Sequence, residues 1–74
     1  MFVSKKSIVS TDKGDLIVLD TVFVDNREFA FCVGGKTNYI YEIFDNGTSL
    51  PKLRLVSEPE FEQIFKIFLA NYRL

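Results

Sequence analysis

The sequence predicts an α+β fold: an antiparallel meander of four to five strands packed against one C-terminal amphipathic helix. Two observations carry this. From Phe2 to Val56, short apolar runs alternate with turns rich in Gly, Asn and Asp, the pattern of strands joined by hairpins. From Ser57 onward the apolar spacing becomes helical, and Phe61, Ile64, Phe65, Phe68 and Tyr72 fall within about one third of a helical circumference.

The elements follow in order. Phe2, Val3, Ile8 and Val9 supply the apolar content of a first short strand. The stretch from Thr11 to Asp15 reads as a type I turn with a bulge, in which Gly14 takes the left-handed conformation. Leu16 to Val24 is the longest β-prone run. Its alternation is mixed, because Leu16 to Leu19 is apolar at every position while Val22 and Val24 share parity with Asp20. Either a bulge near Asp20 and Thr21 switches the inward face, or Asp20 lies at a wet sheet margin.

Asp25 and Asn26 tolerate positive φ and mark the next turn. Phe29, Phe31 and Val33 then alternate with Ala30 and Cys32. Loops of two or four residues both bring Phe29 and Phe31 to the face of Val22 and Val24, the expected core side. Gly34 to Asn38 is read as a flexible break. In the next strand Tyr39, Tyr41 and Ile43 share one face, and Ile40, Glu42 and Phe44 share the other. Asn46-Gly47 predicts a two-residue type I′ hairpin, and Leu50 to Val56 the last strand, with Pro51 at its start or on an edge. Ser57 and Glu60 have capping-box spacing. Pro59 is tolerated in the first helical turn, Glu58, Glu60 and Glu62 sit near the positive end of the dipole, and Lys66 and Arg73 come later. Ile67 and Leu74 are apolar but off the main stripe.

Composition narrows the function. The 74 residues, 47% of them hydrophobic with eight Phe and three Tyr, are expected to make one domain spanning 1–74. One Cys and no His leave too few soft ligands for a structural zinc site, so no metal and no cofactor is expected. Nine basic and ten acidic side chains are mixed along the chain, giving a net charge of −1 and no long-range field toward nucleic acid or an anionic membrane. No stretch approaches the roughly eighteen apolar residues of a membrane span, and the Lys5-Lys6 start does not lead into a signal-peptide core. A cytoplasmic location is the expectation.

The segment from about Ile8 to Tyr72 resembles the YrzB-like small acidic proteins, a family of unknown function found mainly in Gram-positive bacteria. The resemblance lies in the order of a short strand, the Asp12-Lys13-Gly14 turn, an apolar strand, the Asp25-Asn26 turn into Arg27-Glu28-Phe29, and the Val56 to Phe61 passage into a terminal helix. Where that family has a carboxylate-rich loop, this chain has Gly34-Gly35-Lys36-Thr37. The resemblance implies a fold and brings no catalytic residues.

Chemical constellations are sparse. Gly35-Lys36-Thr37 has the ending of a phosphate loop, but Ala30 stands where the first Gly belongs and strand-like Tyr39-Ile40-Tyr41 follows. Cys32 lies in an apolar strand with no His to activate it, and the carboxylates of Asp12, Asp15, Glu58, Glu60 and Glu62 fit turns and a helix start. Catalysis is therefore not expected. Tyr39 and Tyr41, with Lys36, Lys52 and Arg54 nearby in sequence, are the residues a single-stranded nucleic-acid binder would use. The balanced charge favours the alternative, in which both tyrosines pack beneath the helix. The leading expectation is a small interaction or regulatory module that binds another protein or itself as a homodimer. Ile67 and Leu74 are its candidate contacts, and a virus-encoded inhibitor of a host enzyme would have the same sequence features.

Overall fold

The computed structural model describes residues 2–72, with side chains through residue 70. Five strands run in the order β1 (Ile8–Thr11), β2 (Gly14–Val24), β3 (Arg27–Gly34), β4 (Thr37–Phe44) and β5 (Lys52–Leu55). Each pairs antiparallel with the next, in one sheet whose spatial order is the chain order. The helix α1 (Glu58–Tyr72) follows. This is the α+β meander that the turn spacing predicts.

The first three turns obey local backbone chemistry. Thr11 pairs with Gly14, which takes φ +94° as expected. Asp25 and Asn26, both at positive φ, connect Val24 to its partner Arg27 in the manner of a type I′ turn. Gly35 alone supplies positive φ between the paired Gly34 and Thr37. The expected break from Gly34 to Asn38 is thus only a two-residue turn.

The fourth connection departs from expectation. Phe44 pairs with Lys52, so the loop spans 45–51 and is not the two-residue hairpin that Asn46-Gly47 suggests. Positive φ falls on Asp45 and Gly47, not on Asn46. The reason is tertiary. Asn46 is committed to distant partners: its Oδ1 accepts from the Val3 N–H at 2.8 Å, and its Nδ2 donates to the Val3 carbonyl and to Glu28 Oε1, each at 3.0 Å. Those bonds hold residues 2–4 as a strap outside the sheet, so β1 begins only at Ile8. They also leave β5 shorter than the predicted run from Leu50, with Pro51 just before it.

A bulge decides how the sheet is used. Val18 pairs with Cys32 and Asp20 with Phe31, leaving Leu19 as the extra residue. Before it, Leu16 and Val18 face the side shared with Ala30, Cys32, Tyr41 and Ile43, a core closed by Val3 and Val9. After it, Val22 and Val24 face the opposite side with Phe29, Phe31 and Ile40, where Ile64 and Phe68 of α1 are also buried. The switch lies one residue ahead of the predicted place and resolves the mixed alternation of β2 as a bulge.

The helix stripe behaves as its spacing predicts, with Ile64 and Phe68 buried and Phe61 and Phe65 half-buried against the same core. The Phe31 ring lies 5.7 Å from Phe65 and 5.3 Å from Phe68 between centroids. Ser57 occupies the N-cap position, its carbonyl accepting from Phe61 N–H at 2.8 Å. Glu60 does not play its expected capping role, because both its oxygens turn to the sheet and accept from Arg27. Tyr72 belongs to the stripe by sequence, but its side chain lies outside the described residues, as do Arg73 and Leu74.

Candidate functional site

The residues of the nucleic-acid alternative are not gathered into one surface. Odd positions of β4 face the concave core, away from the helix, so Tyr39 and Tyr41 are not beneath it as expected. Tyr41 is buried, its hydroxyl donating to Asp12 Oδ1 at 3.2 Å across the curl of the sheet, and Tyr39 is half-buried beside it with ring centroids 6.5 Å apart. Parity alone could not choose the side, because both faces of β4 are apolar. Lys36 lies in the β3–β4 turn and Lys52 at the opposite end of β4, paired with Phe44. Seven residues of extended chain separate those ends, roughly 23 Å. Arg54 is committed to Glu42, with Nη2 to Oε1 at 2.6 Å, and its guanidinium also lies 5.3 Å from the centre of the Phe44 ring.

Of the proposed protein contacts, Ile67 is half-buried and packs against the helix-side core. Leu74 lies outside the described residues. Among the described residues of the helix, Leu69 is the large apolar side chain left exposed, with 48% of its surface open.

One ionic cluster ties the elements together. Arg27 at the start of β3 donates from Nε and Nη2 to the two oxygens of Glu42 on β4, and from Nη1 to Glu60 of α1 at 2.8 Å. The buried Glu42 carboxylate also accepts from Arg54 of β5. With Glu42 so satisfied, the cluster is a clamp between sheet and helix, not an open site. Glu42 sits between Ile40 and Phe44 in an otherwise apolar row, and that misplaced charge is the signal in the sequence for a buried partner.

An open apolar groove lies at the seam of the curled sheet. β1 and β5 are the edges of that sheet and are not paired with each other. The groove between them, of about 470 Å³, is lined on one side by Phe2, Ile8 and Val9 and on the other by Pro51 and Leu53. Its rim is apolar and wet: Phe2 and Ile8 are each 71% exposed, and Leu50, beside Pro51, is 68% exposed. Apolar content alone places Phe2, Val3, Ile8 and Val9 in one short strand; Ile8 and Val9 do lie in β1, but Phe2 and Val3 lie outside it. The Lys5-Lys6 pair that interrupts the run, with Lys6 at φ +74°, is the clue that the chain turns there.

Burial pushes the Cys32 thiol up to about 11, which disfavours the reactive thiolate. Among the described residues no group of three His, Cys, Asp or Glu side chains could hold a metal ion. Nor is any described helix long and apolar enough to cross a membrane. No protein-family model, curated protein or solved structure matches the chain. The fold and groove therefore define its class on their own: a curled five-stranded meander with a helix on its convex face and an open apolar seam.

Proposed function

We propose that this chain is a small cytoplasmic interaction module, without catalysis, that works by binding another protein. The observation carrying this reading is the seam groove between two unpaired strand edges, where Phe2 and Ile8 of the lining stand largely exposed and Leu50, next in the chain to the lining Pro51, is exposed as well. Exposed apolar side chains scattered singly are ordinary, but several converging on a groove are a usual mark of an interaction surface. Ile67 supports the core and lies outside this surface. The resemblance to the YrzB-like proteins stays at the order of elements and turn motifs, and it adds no activity.

The experiment compares capture from native lysate by wild-type chain and by an Ile8→Glu variant, with Leu69→Glu as control. Ile8 is exposed, so its replacement leaves the melting temperature within a degree or two. The expected result is a stoichiometric partner held by wild type and by Leu69→Glu and lost with Ile8→Glu. Equal capture by all three, or none by wild type, removes the reading.

A further inference from the structure

We infer that the seam between β1 and β5 receives an extended, acidic segment of a partner polypeptide, which adds to the free edge of β1 as a further strand. The inference deepens the interaction reading above and rests on it.

The edge geometry specifies an extended occupant. The Ser7 carbonyl accepts from Val18 N–H at 2.8 Å, so Ser7 turns its carbonyl toward β2. Main-chain direction alternates along an antiparallel strand, so Val9 and Thr11 also face β2, while Ile8 and Ser10 turn their N–H and C=O groups outward. An unpaired edge of this kind is satisfied by another strand, whose alternate side chains then enter whatever pocket lies beneath. Here that pocket is lined by Val3, Val9, Pro51 and Leu53, which suits apolar side chains at every second position. A helix could not meet the outward groups of Ile8 and Ser10, because its own are already spent.

Charge selects the rest of the segment. Lys5 and Lys6 lead into the β1 side of the groove, and Lys52 lies between Pro51 and Leu53 on the β5 side, all three exposed. None of the lining residues is acidic. The carboxylate that faces β1, Asp15, accepts from Ser10 Oγ at 2.9 Å and is matched to its own hairpin. In a chain of net charge −1, the seam is thus locally basic and complements carboxylates at the alternate positions that point to solvent.

The test uses the full chain and a capped peptide of alternating valine and glutamate, followed by amide resonances. Two further peptides serve as controls, one with lysine for glutamate and one with proline for alternate residues. The acidic peptide should bind saturably, shift the amides of Ser7 to Ser10 and Leu53, and bind about tenfold more tightly than its lysine counterpart at low salt. The proline peptide, which cannot complete the ladder, should not bind. Lys52→Glu, at an exposed position, should lower affinity for the acidic peptide while leaving the melting temperature unchanged.

Equal binding of the acidic and lysine peptides, shifts confined to other surfaces, or no saturable binding overturns the inference. So does a concentration-dependent shift of the same amides without peptide, which assigns the groove to a second copy of this chain. If the peptides fail while Ile8→Glu still abolishes lysate capture, the strand-addition inference falls and the interaction reading stands. If Ile8→Glu has no effect on capture, both fall.

Discussion

Arg27 grips Glu42 at two points, from Nε to Oε2 at 2.9 Å and from Nη2 to Oε1 at 2.7 Å. Its remaining nitrogen reaches Glu60, so one guanidinium joins β3, β4 and α1. Glu42 retains only 4% of its surface, which makes it dependent on that grip. Removing one member of a buried ionic group leaves the others desolvated and unmatched, although the exposure of Arg54 and partial exposure of Arg27 soften the effect. Glu42→Gln should lower unfolding free energy by about 1–2 kcal/mol in urea titrations at neutral pH.

The same carboxylate sets an acid limit. The hydrogen bonds from Arg27, aided by those from Arg54, hold the Glu42 carboxyl below its ordinary value of 4.5, against a burial that would raise it. A depressed pKa contributes stability that is complete above the ordinary value and is lost as pH falls through the folded one. Wild type should therefore lose stability on acidification below about pH 4.5 more steeply than Glu42→Gln does. Parallel slopes for the two proteins between about pH 5 and pH 2 would show that other carboxylates govern the acid transition.

Two glycines should fail for different reasons. Gly14 holds φ +94° in open space, with nothing within 4 Å of the place a Cβ would occupy, so Gly14→Val loses on backbone strain alone, about 1–3 kcal/mol. Gly34 has no such φ, but a Cβ there would run into the Leu16 side chain. A second change, Leu16→Ala, should relieve part of the clash in Gly34→Ala and none of the strain in Gly14→Val. Thermal melts of the two double variants check this.

Ile67 and Leu69 separate structure from surface on the same helix. Ile67 packs on the helix-side core, so Ile67→Glu should destabilise the protein by about 2 kcal/mol or more. Leu69→Glu, at a half-exposed position, should cost less than about 0.5 kcal/mol. Equal melting temperatures for the two variants would make Ile67 a surface contact after all.

Cys32 offers a probe of global opening. It is fully buried between β2 and β4, and its thiol is pushed up to about 11 by burial. Reaction with an aromatic disulfide reagent at about pH 8 should follow the unfolding equilibrium and accelerate with urea. Rapid labelling in native buffer would contradict the burial.

Much of this fold is legible in the sequence because its signals are local. Asp12-Lys13-Gly14, Asp25-Asn26 and Gly35 each state a backbone requirement that needs no distant partner, and the helix stripe states its own face. Asn46-Gly47 misleads for the opposite reason: the Asn46 amide is claimed by Val3 and Glu28, far away in sequence. The placement of Tyr39 and Tyr41 is equally hidden, since β4 is apolar on both sides and only the curl of β1 and β2 decides which side they fill. Phe2 and Val3 read as part of the first strand because the bonds that hold Val3 outside it come from Asn46, far along the chain.

The bulge at Leu19 gives β2 one spare residue. Val18 and Asp20 already pair with consecutive residues, Cys32 and Phe31, so deleting Leu19 would close the ladder without moving any other pair. Val22 would stay opposite Phe29 on the helix side, and Thr21 opposite Ala30 on the concave one. Substitution or loss of Leu19 should therefore be cheap, whereas removing a residue from the middle of β3, where every position is paired, should turn half of that strand inside out. Variation in length within the sheet should accordingly collect at this one point of β2.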